Sequence, residues 1–207
     1  MSERRRSPDR TGQVQADPGS ADDESAPDGQ DPSGAAPEGK ARDKLENRAR
    51  NLVLRMLTHS PRTRAQLERS LYRGEYPDEV VESVLNGLDE AGLVDDEAFA
   101  RAWVSSRQHS RHLSRRALSR ELRTRGVEEE TVREAVAEVS DEDEQDGARS
   151  LARKSLRGSR NKDKEARIRR ALGALGRKGY PGGLAYRIVR EELEQEGLDV
   201  DIPDPEF

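Results

Sequence analysis

No cysteine occurs among the 207 residues. That absence removes disulfides, thiolate metal sites and cysteine nucleophiles together, and it suits a reducing compartment. Aromatic residues make up 3% and hydrophobic residues 31% of the chain. Several small helical layers sharing modest apolar seams fit those figures better than one large core. No apolar run approaches the roughly 18 residues that a membrane span needs. Arg4, Arg5 and Arg6 are followed by Ser, Pro, Asp, Gln and Gly rather than by an apolar segment, so they do not read as the front of a signal peptide. A cytoplasmic protein without a membrane partner is expected.

Constellations for catalysis are missing as well. The stretch Gly176–Gly183 has glycines, but neither a preceding strand nor the Lys-Ser/Thr pair of a phosphate loop. His109 and His112 lie three apart in a basic, Ser-rich linker without a nearby acid or sulfur in sequence, which argues against a metal site. Ser114 reads as a helix N-cap ahead of Arg115, with no His-acid pair to activate it. No enzyme activity and no cofactor are expected.

What the chain does carry is helical. Residues 1–44 read as a tail rich in Asp, Gly, Ser, Pro and Ala, disordered because little burial offsets its ordering entropy. From Leu45 an apolar stripe of Ala49, Leu52, Val53, Met56 and Leu57 runs to Ser60-Pro61. Thr63 and Gln66 form a capping box opening a second helix with Leu67 and Leu71. Pro77 at the first helical position opens a third, which buries Val81, Val84, Leu85 and Leu88. Gly92 ends it, Leu93 and Val94 form an apolar plug, and Asp95 and Asp96 start the next helix, whose face carries Phe99 and Trp103.

The pattern then repeats. Leu71 to Tyr76, Leu122 to Val127 and Leu175 to Tyr180 each span five residues, with Val81, Val132 and Ala185 five residues further on. Gly126 and Gly179 occupy matching places, whereas module one has Glu75 there and Gly74 one residue earlier, so its turn is expected to differ. The sequence therefore predicts an all-α protein of three tandem three-helix repeats, over residues 45–94, 95–140 and 141–197, with an acidic tail over 198–207. Units this small bury their own apolar faces poorly, so stacking into an elongated, curved array is expected.

Charge is segregated along this array. Eight Arg against one acid, Glu121, lie between Arg101 and Arg125, and twelve Lys or Arg against two acids lie between Arg149 and Lys178. Glu128 to Asp146 contains ten acids and Glu191 to Glu206 eight more. Helical projection puts Arg116, Arg120 and Arg123 together opposite Leu118 and Leu122, and leaves Arg149, Arg153 and Arg157 as an outward stripe. Arg170 and Arg177 flank a small-residue face of Ala166, Gly173 and Ala174, with Lys178 beyond. Unpaired stripes of Arg suggest a surface that meets carboxylates or phosphates.

Three of these stretches resemble the RecX family, regulators of the RecA recombinase: Gly92–Val104 (GLVDDEAFARAWV), Leu113–Val127 (LSRRALSRELRTRGV) and Arg169–Val189 (RRALGALGRKGYPGGLAYRIV). The resemblance covers most of Leu45 to Glu196. It implies a curved body of three three-helix repeats that binds the RecA filament on single-stranded DNA and curbs strand exchange, ATP hydrolysis and co-protease activity; a monomer is expected. On the residues alone, a helix-turn-helix-like protein contacting DNA phosphates directly is the other reading, because three-helix units with an Arg-rich helix also build DNA readers. Weak non-specific contact with single- or double-stranded DNA fits both.

Overall fold

The computed structural model describes residues 36–198, with side chains from residue 39 onward. Most of the expected N-terminal tail and the acidic C-terminal tail lie outside the described residues. Nine helices and no strand occur among those described. They are α1 (Ala36–His59), α2 (Arg64–Arg73), α3 (Asp78–Glu90), α4 (Asp96–Arg111), α5 (Arg115–Thr124), α6 (Glu129–Ala137), α7 (Asp141–Arg157), α8 (Lys164–Arg177) and α9 (Gly182–Gln195).

The helices sort into three modules, each with its own core. Val53, Leu67, Leu71 and Leu85 centre the first, Leu118, Leu122 and Val132 the second, and Leu156, Leu175, Ile188 and Leu193 the third. Full burial of a leucine contributes about 2–3 kcal/mol, so a few such side chains hold each module. The extensive helix–helix contacts all fall within modules. Helix starts follow the sequence signals: Thr63 and Gln66 form the capping box, and Asp95 and Ser114 cap α4 and α5.

Three local expectations change. Helix α1 begins at Ala36, inside the segment expected to be tail. Its first turns carry no apolar stripe, but Arg42 pairs with Glu46 one turn on and with Glu79 of α3. Pro77 is the N-cap of α3 and not its first helical residue. Of the plug residues, Val94 is buried while Leu93 is 53% exposed.

The turn after the second helix is the same in all three modules, contrary to the expectation for module one. Glu75, Gly126 and Gly179 adopt left-handed φ values of 58°, 82° and 85°. In each, the following N–H donates to the carbonyl five residues back: Tyr76 to Leu71, Val127 to Leu122 and Tyr180 to Leu175. What differs is the space beside the turn. A Cβ on Gly126 would sit 2.5 Å from the Ala65 Cβ, and one on Gly179 would sit 2.7 Å from the Ser114 Oγ. The turn of each later module is seated against the start of the second helix of the module before it. Glu75 belongs to the first module and has no such neighbour, so only its φ is strained. Replacing Glu75 with Gly is expected to raise stability by up to about 1 kcal/mol, because the left-handed cost exceeds the added freedom of the unfolded chain. Thermal unfolding checks this, and a lowered midpoint would show that the Glu75 side chain is needed.

The seats are polar and built alike. Thr63, fully buried, accepts from the Gln66 N–H and donates across the junction to the Arg125 carbonyl at 2.7 Å. Ser114, equally buried, accepts from the Ala117 N–H, and its own backbone N–H donates to the Lys178 carbonyl at 3.1 Å. The next N–H in each helix is taken by a carboxylate of the following module, Asp96 for Arg64 at 2.8 Å and Glu144 for Arg115 at 2.9 Å. Burial raises the Asp96 carboxyl pKa. At the second junction the Tyr180 hydroxyl donates to the His112 carbonyl at 3.1 Å, and burial pushes its pKa up. A side chain at Gly147 would block it, since a Cβ there would lie 2.7 Å from the Tyr180 Oη. No hydrogen bond or ion pair among the described residues joins module one to module three. The junction contacts thus join module one to module two and module two to module three.

Candidate partner-binding surface

The second module uses most of its arginines internally. Trp103 stacks on Phe99 with ring centroids 5.6 Å apart, and its indole N–H donates to Glu121 at 2.9 Å. The guanidinium carbons of Arg107 and Arg125 lie 3.9 and 3.6 Å from the Trp103 ring centroid. Burial lowers the Arg125 pKa. Arg115 is held by Asp141 and Glu144 across the junction, and Arg101 lies 3.7 Å from Glu97.

The expected stripe of Arg116, Arg120 and Arg123 is exposed on α5. Arg116 and Arg120 make no ion pair with a described residue. Arg123 does: its Nε donates to Glu129 at 2.7 Å, and that bond holds the Glu129 carboxyl below its ordinary pKa. The left-handed turn at Gly126 folds the acidic start of α6 back beside the end of α5, a juxtaposition that the projection of one helix does not contain.

The stripe on α7 departs further from expectation. Arg149 reaches Asp146 at 3.3 Å and Glu191 at 3.5 Å. Arg153 donates to Glu192 at 2.7 Å, which raises its pKa. Glu192 is only 6% exposed, so this pair belongs to the packing of α7 on α9. Arg157 alone of that stripe is exposed and unpaired among the described residues. Arg167, 6% exposed, is paired with Glu196. The acids that read as part of an acidic end, Glu191, Glu192 and Glu196, are thus internal partners.

Arg170 and Arg177 are brought together as expected, and with company that the sequence did not single out. They line a groove of about 500 Å³ between α7 and α8 with Lys154 and Arg169, over a floor that includes Leu151 and Ala174. None of the four cations is ion-paired with a described residue, and no acid is among the described residues that line the groove. Arg169 feels the Asp163 carboxylate, whose pKa is lowered mainly by the Ala166 N–H. Lys178 is half-buried, with its carbonyl at the second junction. Lys154 joins the other three because α7 packs against α8, a juxtaposition that no pattern within one helix contains.

His109 and His112 share a cleft of about 190 Å³ with Asp143 and Asp146 of α7. Acids therefore lie near the histidines, contrary to the sequence expectation. Even so, no group of three or more potential ligands is set to hold a metal among the described residues. No helix of the described residues is long and apolar enough to cross a membrane.

Comparison with known proteins places this architecture. Residues 49–88, 95–136 and 141–189 match the first, second and third three-helix domains of RecX. The regulatory protein RecX of Thermobifida fusca (strain YX) is 55% identical over 166 residues, covering 80% of this chain and 90% of that protein. That of Streptomyces coelicolor is 49% identical over 160 residues, covering 77% and 85%. A crystal structure of regulatory protein RecX superposes with a TM-score of 0.68 at 23% identity over 80% of this chain and 81% of that one. RecX from Lactobacillus salivarius does so with 0.65 at 18% identity over 74% and 99%. Three matched domains in register with three separate cores, and relatives at about half identity over most of both chains, make this chain a member of the RecX family of regulatory proteins.

Proposed function

We propose that the chain regulates the RecA recombinase, mainly as an inhibitor, by binding the RecA filament on single-stranded DNA and restraining strand exchange, ATP hydrolysis and co-protease activity. The observation that carries this reading is the set of exposed cations on modules two and three, Arg116, Arg120, Arg157, Arg170 and Arg177, none of them ion-paired among the described residues of the three-module row. Arginine guanidinium groups suit carboxylate and phosphate alike, and a filament groove presents both. Arg123, Arg149 and Arg153 can join only by exchanging an internal carboxylate for an external one, and Lys178 contributes at the edge. Contacts spread over modules add through effective concentration, so no single tight site is required. The protein acts as a cytoplasmic monomer, without cofactor or chemistry of its own.

Direct binding to nucleic acid is the second reading, favoured by the α7–α8 groove, whose described lining carries four cations and no acid. Titrating binding to RecA filaments and to bare single-stranded DNA against salt separates the two. The filament is expected to bind more tightly at every salt concentration, with affinity falling on a log–log slope that counts the ionic contacts. Tighter binding to bare DNA would favour the phosphate reader.

A further inference from the structure

A pocket of about 350 Å³ opens between the first two modules, apart from the cations that carry the proposed function. Its module-one wall is Pro61 and Arg62, in the connection between α1 and α2. Its module-two wall is Phe99, Ala102 and Trp103 of α4, with Arg125 at the end of α5. The three α4 side chains meet there because spacings of three and four residues bring them to one helix face. The Arg125 carbonyl accepts from the Thr63 hydroxyl at 2.7 Å and from the Arg69 guanidinium at 3.0 Å. The two walls are thus held together by the junction itself.

The lining combines apolar surface with cations that lack a counter-ion. Arg62 makes no hydrogen bond or ion pair with a described residue, and its Nε is buried. A buried donor left unmatched costs free energy that an acceptor from outside recovers. Burial lowers the Arg125 pKa, and Arg107 and Arg111 act in the same direction against Glu121. The Glu121 carboxylate is already engaged, accepting from the Trp103 indole N–H at 2.9 Å and lying 3.7 Å from Arg107. No acid is among the described residues that line the pocket. The site therefore favours an occupant that is apolar at one end and anionic at the other.

A nucleotide has that character, but the pocket does not suit a base. The guanidinium carbons of Arg107 and Arg125, at 3.9 and 3.6 Å from the Trp103 ring centroid, are too close to it to share one face. They occupy opposite faces, so the indole offers no platform on which a base could stack. A protein segment meets both requirements. An apolar side chain fills one half, and a neighbouring carboxylate takes a guanidinium in the other. Arginine and aromatic residues are also over-represented among those that dominate protein–protein binding.

We propose that this pocket is a docking site for an acidic, apolar segment of a protein partner, which seats an apolar side chain against Pro61, Phe99 and Ala102 and a carboxylate on Arg62 and Arg125. The occupant touches both modules and so tightens their junction. This docking rests on the RecA-directed function and extends the contact surface to module one.

Carbodiimide coupling reads the carboxylate directly. With the full chain carrying Arg62→Lys on RecA filaments, the reagent should join position 62 to an aspartate or glutamate of RecA, as mass spectrometry of the peptides reads. Ala102→Phe, which fills the pocket without changing charge, should abolish that link and weaken filament binding about ten-fold. Helical circular dichroism and oligothymidylate binding should stay unchanged. Arg62→Gln, which breaks no bond to a described residue, should weaken filament binding several-fold. A filament-bound chain that gives no link to RecA at position 62, or unaltered filament binding by both variants, overturns the proposal. So does an Ala102→Phe chain that loses oligothymidylate binding in equal measure, since the pocket then serves nucleic acid. Filament binding by the unsubstituted chain is measured alongside. Its absence would remove the regulatory reading and the pocket with it, whereas its persistence without the link removes the pocket alone.

Discussion

Replacing Gly179 with Ala is expected to cost about 2–5 kcal/mol and to undock module three from module two. A residue with a Cβ pays roughly 1–2 kcal/mol in the left-handed conformation. Forcing that Cβ into a packed seat adds about 1–3 kcal/mol. The φ here is 85°, and the Cβ would meet the Ser114 Oγ at 2.7 Å and the Ala117 Cβ at 3.0 Å. Each module keeps its own core, so the helices should survive while the junction opens. Chemical denaturation measures the cost, and small-angle scattering should show a larger radius with unchanged helical circular dichroism. Gly87→Ala is the matched control: it lies inside α3, and nothing within 4 Å of the added Cβ opposes it. That change should stabilise the chain by up to about 1 kcal/mol. An undiminished stability of Gly179→Ala would mean that the modules are not joined through these turns.

The second large effect concerns charge. Arg116→Glu with Arg120→Glu is expected to weaken inhibition of RecA about 30-fold, with thermal stability nearly unchanged. Each reversal removes an attraction and adds a repulsion of about 1 kcal/mol at an exposed site, and about 2 kcal/mol together corresponds to that factor. Both side chains are exposed and make no ion pair among the described residues, so the fold has little to lose. Arg123→Glu is a poorer probe, because it would set a carboxylate against Glu129, to which Arg123 now donates at 2.7 Å. Inhibition that survives the double reversal would place the contact on another face.

The sequence carried the architecture because its signals are local. Capping residues, apolar spacing and left-handed glycines each act within a few residues, and their repetition at offsets of 51 and 53 exposed the modules. Glu75 was misleading for an instructive reason. The turn needs a left-handed residue in all three modules, but glycine is required only where a preceding module presses on it. Arginine pairing was not legible in the same way. A helical projection shows which face Arg149 and Arg153 share, but not that α9 returns Glu191 and Glu192 to that face. The same limit hid Lys154 and Arg169, which become part of one groove only when α7 and α8 pack side by side. The early start of α1 is not legible in the sequence because charged residues without an apolar stripe look alike in a helix and in a tail.

On the proposed function, a row of three helical modules acts by gripping another assembly through exposed arginines. ATP turnover by RecA on single-stranded DNA, followed as this protein is added at low and at raised salt, tests it most directly. A saturable fall in turnover that weakens as salt rises is the predicted result. Turnover that stays constant at saturating protein, or ATP hydrolysis by this chain in the absence of RecA, would contradict it.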